Sequence, residues 1–344
     1  MRITCCVLLL LVILSASSCK NNNAVPQSFY YWKTVFRLNE CERTVLTNNH
    51  IDRIYIRYFD VKTVDGTPMP ISTISFRDSI PYGLQVIPVV FIVNRMFDDV
   101  PFDSIASLAD HICTRIGQIN KEHGIKSVPE VQIDCDWTPS TKDKYFFLLG
   151  AIQGHPFLKD KLLSVTLRLH QAKYRKQTGI PPVRKVTLMC YNMGKLTQYG
   201  DHNSILDANE TQLYMRGLSI YPLPADIALP LFCWGVCFDE QRQYRGLING
   251  LCHEDLDKPY FQKVAGTTYR SDTSLQLKGA FIRKGDHIRL EEPSINDIEE
   301  VARMISDRIE SPNSIIWYHL DSILLRKHPG PELQKVANLF PEKE

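Results

Sequence analysis

The 344-residue sequence carries almost no net charge, formally +2 at pH 7, and no predicted element bears a stripe of lysine and arginine. The electrostatic footprint of a nucleic-acid surface is therefore missing, and no nucleic-acid partner is expected. Beyond the amino terminus there is no apolar run long enough to span a bilayer. Internal repeats are absent, and so is low-complexity sequence apart from a short Asn-rich stretch. The histidines do not fall at the spacing of metal ligands on a helix. Cys233 and Cys237 lack a second ligand pair, with only His253 nearby, so neither a metal nor a cofactor is expected. Seven cysteines follow Cys19, an odd number that leaves at least one unpaired. Cys135 and Cys190 lie inside apolar, strand-like runs, and most of the seven read as small core residues.

What is present begins with a compartment signal. Arg2 precedes the apolar run 7–14, followed by Ser15-Ala16-Ser17-Ser18-Cys19 and then the polar Lys20-Asn21-Asn22-Asn23. This is the pattern of a lipoprotein signal peptide, residues 1–18, with Cys19 as the lipidated first residue of the mature chain. Residues 19–28 then form a polar tether. An ordinary cleaved signal with an incidental cysteine is the alternative, and either reading takes the chain out of the cytoplasm. The lipoprotein reading places it in the cell envelope, periplasmic or at the surface, with the membrane as a partner through the anchor.

From residue 29 to 344 short β-rich runs alternate with segments of helical period, the signature of repeated βαβ units. Candidate strands are 29–36, 54–61, 85–94, 130–137, 163–171, 186–193, 227–236 and 314–320. Several are continuously apolar, such as Val86 through Val93, as parallel strands covered on both faces require. Apolar residues three and four apart mark helices at Ile105, Leu108, Ile112, Ile116 and Ile119, and again at Ile295, Ile298, Val301, Ala302, Ile305 and Ile309. Ser294 with Asp297 and Ser140 with Asp143 are the expected amino-terminal caps. Eight strands in this rhythm predict an α/β fold, a (β/α)8 TIM barrel. An insertion of about 238–293 after the seventh strand is expected to contain a hairpin at 280–290, because a structureless loop of that length is uncommon.

In such a barrel chemistry sits at the carboxyl ends of the strands. Polar residues occur there on most strands: Arg57 and Asp60, Asn94, Asp134 and Asp136, Arg168 with His170, Tyr191 with Asn192, then Trp317, His319 and Asp321. A single charged residue at a strand end is ordinarily a surface or capping group, so the argument rests on their meeting at one rim. Asp134 and Asp136 lie two apart on a strand and share a face. Two carboxylates that close disfavour joint ionisation, which acid–base catalysis exploits, although a buried arginine such as Arg168 could instead satisfy one of them. Trp137, Trp234, Trp317, Tyr191 and Tyr318 could stack on sugar rings, with core packing as the alternative for each. Trp32 reads as structural. Arg168 and His170 are read as sharing one strand face.

The segment Ile133-Asp134-Cys135-Asp136-Trp137 resembles the fourth-strand signature of glycoside hydrolase family 18, the chitinase-like barrels. Met189-Cys190-Tyr191-Asn192-Met193-Gly194 is similar to that family's sixth-strand Met-x-Tyr-Asp motif, and Trp317 fits the tryptophan that floors its sugar subsite. Bacterial lipoproteins with the same arrangement look similar as well. The resemblance covers three short motifs and implies a glycan or oligosaccharide partner, bound at the rim with Asp136 in an electrostatic role and Tyr191 donating to the sugar. The departures bear directly on activity. Thr138 stands where the family has its proton-donating glutamate, Val131 where it has its first aspartate, and Asn192 where it has the sixth-strand aspartate. Threonine cannot protonate a leaving oxygen. Catalysis would need Asp134 and Asp136 supplemented by Asp321 or His170, with Asp60 as a further acid to test; Arg57, Asp60, Trp137, Arg168, Tyr191, Asn192, Trp234 and Trp317 would hold substrate. The other reading is a catalytically silent glycan-binding lipoprotein.

Overall fold

The structure is a computed structural model that describes residues 25–309 and 312–340. The signal peptide, Cys19 and the tether up to residue 24 lie outside the described residues. Among the described residues no helix is long and apolar enough to cross a membrane.

Eight parallel strands close into a barrel: β1 (Gln27–Tyr31), β2 (Arg53–Val64), β3 (Gln85–Ile92), β4 (Glu130–Cys135), β5 (Leu162–Arg168), β6 (Lys185–Met189), β7 (Ala225–Pro230) and β8 (Ile315–Tyr318). Each pairs with its neighbours in sequence, and β1 closes the ring by pairing with both β2 (Phe29↔Ile54) and β8 (Gln27↔Ile315). The outward-facing residues, among them Ile54, Ile56, Val131, Ile133, Ile315 and Trp317, are fully buried beneath helices such as Ile105–Glu122 and Ile295–Ser306, as the period of three and four predicts. Ser294 and Asp297 form a reciprocal cap. Ser140 does not cap; Thr141 begins the helix Lys142–Gly154, and its Oγ1 accepts from Thr138 N at 3.0 Å.

The barrel interior is polar rather than filled with branched aliphatics. Lys185 bridges Glu130 Oε2 at 2.7 Å and Asp226 Oδ2 at 2.6 Å. Tyr30 donates to Gln132 Oε1 at 2.6 Å, and Gln132 Nε2 donates to Thr187 Oγ1 at 2.9 Å. Such a network is tolerable in a core because most of its members satisfy one another, Asp226 Oδ1 being an exception.

Seven strands end earlier than expected, four of them by three residues or more, and the side chains beyond those four are re-aimed. The stretch 163–171 divides into β5 and a short helix, Leu169–Lys173, with Gln171 Oε1 accepting from Arg168 N at 2.8 Å. The stretch 227–236 divides into β7 and a separate strand, Trp234–Phe238, while 29–36 and 186–193 stop as barrel strands at Tyr31 and Met189. Trp234–Phe238 opens a five-stranded antiparallel sheet with Tyr244–Asn249, Phe261–Ala265, Thr268–Ser271 and His287–Glu291, lying between β7 and Ile295–Ser306. Residues 280–290 are not a hairpin: Ala280–Ile282 pairs with Leu275–Leu277, and His287–Glu291 pairs with Trp234–Phe238 and Thr268–Ser271.

Candidate functional site

The sharpest part of the mouth follows from strand register. β4 and β5 pair Gln132 with Ser164, so the two rungs above bring Asp134 to Thr166 and Asp136 to Arg168. Thr166 Oγ1 donates to Asp134 Oδ1 at 2.6 Å. Arg168 grips Asp136 with two parallel bonds, Nε to Oδ1 and Nη2 to Oδ2, the latter 2.7 Å. Asp134 is buried, and burial first, then the neighbouring Asp136 charge, raise its carboxyl to about 7. Asp136 is half-exposed and engaged by the arginine. Thr138 lies past the strand end, bonded to Ser140 Oγ at 2.8 Å within a hydroxyl cluster that also includes Thr141.

A β-bulge builds the next part. β2 slips against β3 between Arg57 and Phe59, and the extra residue puts Asp60, rather than residue 59, on the same side as Arg57. The two side chains then form a bidentate ion pair, Nε to Oδ1 at 2.6 Å and Nη2 to Oδ2. The Arg57 guanidinium also lies over the Trp32 ring, 5.4 Å from its centroid.

Several expected residues are placed elsewhere. Trp317 faces outward, is fully buried and donates to Gln27 Oε1 at 2.8 Å, so it cannot floor a ligand site. Its neighbour Tyr318 takes the inward position, stacked on Tyr191 with centroids 5.2 Å apart and flanked by Trp32 and Phe232. Trp137 is likewise a core residue, 2 % exposed, stacked on Tyr145 and donating to Thr178 O at 2.8 Å. His170 belongs to the helix after β5, exposed and packed on Tyr174, so it does not share a strand face with Arg168. Asp321 caps the helix Ser322–Lys327. Burial pushes its carboxyl up, but the Lys33 ammonium at 3.2 Å and the bond from Ile323 N outweigh this, and the net direction is down. It is a fixed anion rather than an acid.

Beside these groups a cavity of about 490 Å³ opens between the mouth and the inserted sheet. Trp32, Phe232, Trp234 and Tyr318 supply its aromatic faces, while Arg57, Asn192, Asn249, Lys278, His319 and Asp321 supply polar groups. Asn192, in the left-handed region with φ 57°, has a buried Oδ1 without a hydrogen-bond partner, and so does His319 Nδ1. Burial lowers the His319 imidazole to about 4, which leaves it neutral. Trp234 is held from behind by Glu291, whose Oε2 accepts from Trp234 Nε1 at 2.7 Å and from Ser204 N at 2.9 Å. Fully buried Arg289 braces Glu291 and bonds the carbonyls of Gln198, Gly200 and Leu196, tying the loop after β6 to the inserted sheet.

Of the residues singled out from the sequence, Arg57, Asn192, Trp234, Tyr318, His319 and Asp321 line this cavity, and Tyr191 stacks beneath it. Asp134, Asp136 and Arg168 stand outside its wall, in the part of the mouth formed by β4 and β5. Trp32 lines it as well, against the expectation that it is structural. Sequence reasoning did not find Phe232, Asn249, Lys278 or the Arg289–Glu291 brace. The alternation of His287, Arg289 and Glu291 with Ile288 and Leu290 was the available signal for the last.

No protein-family model matches the sequence, and neither does any curated protein. Among solved structures, the chain is similar to the spore cortex-lytic enzyme SleL of Bacillus cereus, with 14% identity and a TM-score of 0.55 over 94% of this chain and 76% of that one. The C-terminal domain of a putative chitinase from Desulfitobacterium hafniense is 9% identical, with a TM-score of 0.58 over 92% of this chain and 100% of that one. A chitinase from Chromobacterium violaceum is 10% identical, with a TM-score of 0.53 over 90% and 99%. The fold of this chain is thus that of a chitinase-like, glycoside-hydrolase-like TIM barrel.

Proposed function

We propose that the protein is an exported lipoprotein, anchored in the cell envelope through Cys19, whose barrel binds an oligosaccharide at its mouth without cleaving it. The observation that carries this reading is the makeup of the cavity. Four aromatic rings stand beside amide, guanidinium and ammonium groups, and Asp321 is the one carboxyl among the lining residues. Aromatic faces with a few convergent hydrogen-bonding groups suit pyranose rings, whereas glycoside hydrolysis needs an acid able to protonate the leaving oxygen, and Lys33 holds the one carboxyl here as an anion. The chitinase-like fold supports a glycan as the ligand class, and the signal-type amino terminus supports the envelope.

A hydrolytic reading draws on Asp134, whose carboxyl titrates near neutrality beside Asp136. Against it stand the burial of Asp134 and the engagement of Asp136 by Arg168.

The test measures binding and turnover on one panel of chitooligosaccharides and peptidoglycan fragments. The expected result is saturable binding that Trp234→Ala weakens about tenfold, equivalent to about 1.4 kcal/mol, with no new reducing ends. Release of reducing ends that Asp136→Asn abolishes would establish the hydrolase instead. Absence of both binding and turnover across the panel would remove the glycan reading altogether.

A further inference from the structure

We infer that Cys233 and Cys252 form a disulfide that fastens the inserted sheet to the barrel at the wall of the cavity. Their sulfurs lie 2.8 Å apart, and both residues are 3 % exposed. That separation is well inside ordinary contact between two non-bonded sulfurs. The backbone already holds the two segments together: Trp234 pairs with Asn249 in an antiparallel ladder, and Gly250 N donates to Cys233 O at 2.9 Å. The cysteines therefore sit just outside the base of one hairpin, where closing the bond demands little movement of the main chain. Both side chains line the cavity beside Trp234.

Glu292 lies close enough to complete a three-ligand metal cluster with the two thiols, but its carboxylate is occupied. Lys327 Nζ holds Oε1 at 2.8 Å and Oε2 at 3.1 Å, placing an ammonium beside the position a cation would take. The same lysine helps the thiol chemistry. The bond from Cys233 Sγ, then the Lys327 and Lys278 charges, lower the Cys252 thiol. Cys233 moves the other way, through its bond to Cys252 and through burial. Cys252 is thus the attacking thiolate. Its sulfur attacks a disulfide-bearing oxidant, protein or small molecule, and expels one thiol. Cys233 then attacks the mixed disulfide and expels the second. Two protons and two electrons pass from the cysteine pair to the oxidant, and one S–S bond replaces two S–H bonds. Cys237, whose Sγ lies 3.8 Å from Asp286 Oδ2, stays a thiol.

The experiment is peptide mapping of the full chain, alkylated without reduction after equilibration with oxidised glutathione. A cross-linked pair joining Cys233 to Cys252, two hydrogens lighter than the separate peptides, is expected. Reduction should lower Tm by about 5 °C and open the 234–249 hairpin to protease. The double variant Cys233→Ser/Cys252→Ser should show neither response to reductant. Alkylation of both thiols in the oxidised, folded wild type would overturn the inference. So would stoichiometric zinc that protects them from alkylation and is released by chelator.

Discussion

Asp134→Asn tests the electrostatics of the mouth directly. In the unfolded chain the Asp134 carboxyl titrates near 3.8, and in the fold it is raised to about 7 by burial and by Asp136. The folded state therefore holds a proton that the unfolded chain has lost, and the contribution of Asp134 to stability falls as pH rises from below 4 through 7. The two values differ by about 3 pH units, and each unit is worth about 1.4 kcal/mol, so the cost above pH 8 reaches about 4 kcal/mol. Asparagine removes the ionisation but keeps an oxygen to accept from Thr166 Oγ1, the bond now 2.6 Å long. The variant should match the wild type near pH 4 and exceed it by about 2–4 kcal/mol at pH 8.5, as read from urea midpoints at constant m. If the two proteins keep the same stability difference at both pH values, Asp134 is ionised in the fold throughout. The burial argument is then refuted.

Lys185→Met leaves Glu130 and Asp226 facing each other without the ammonium that bridges them at 2.7 and 2.6 Å. Breaking a buried ion cluster on one side costs about 3–5 kcal/mol. The triple variant Glu130→Gln/Lys185→Met/Asp226→Asn should recover most of it in the same denaturation assay, and no recovery would place the effect in packing instead. Trp317→Ala should lower stability by about 3–5 kcal/mol through the cavity it leaves, with glycan affinity little changed when measured below the midpoint. Tyr318→Ala should do the reverse, losing at least tenfold in affinity; equal affinity losses in the two variants would erase the distinction between outward and inward faces.

The eight strands were legible because parallel barrel strands are covered on both faces and read as apolar runs, of which Val86 through Val93 is the plainest case. Their ends were less legible, because the carboxyl end is where the chain leaves regular pairing. Thr166-Leu167-Arg168-Leu169-His170 alternates polar and apolar like a strand, yet Gln171 folds back to accept from Arg168 N as a helix starts. The choice of Trp317 over Tyr318 shows how sharply a period of two punishes an error of one residue: it exchanges the helix-facing side for the mouth. The same period held an unused signal. Glu130, Gln132, Asp134 and Asp136 alternate with Val131, Ile133 and Cys135, and Lys185 and Thr187 alternate with Val186 and Leu188. These are inward-facing polar rungs, visible as a pattern before any coordinate. The Arg57–Asp60 pair could not be read in this way, since a bulge is needed to bring residues three apart to one side. Nor could the 233–252 approach, which depends on hairpin register inside the inserted sheet.

Around the mouth the carboxylates are already engaged: Asp134 by Thr166, Asp136 by Arg168, Asp60 by Arg57, and Asp321 by Lys33 and a helix amino terminus. A general acid must hold a proton and be free to release it at the bond being cut; Asp134, raised to about 7, is buried behind Asp136, and Asp321 is shifted down beside Lys33. By contrast, the buried polar atoms of the cavity lining that lack a partner are Asn192 Oδ1 and His319 Nδ1. An unpaired buried acceptor costs about 1–3 kcal/mol, a cost that a ligand hydroxyl or amide can offset on arrival. An amide oxygen accepts, and a neutral imidazole nitrogen accepts or donates according to tautomer, without any proton transfer to the ligand. The unfilled hydrogen-bonding capacity of the cavity lining therefore lies in an amide and an imidazole, while the carboxylates around the mouth are occupied in holding the barrel's own cations and hydroxyls.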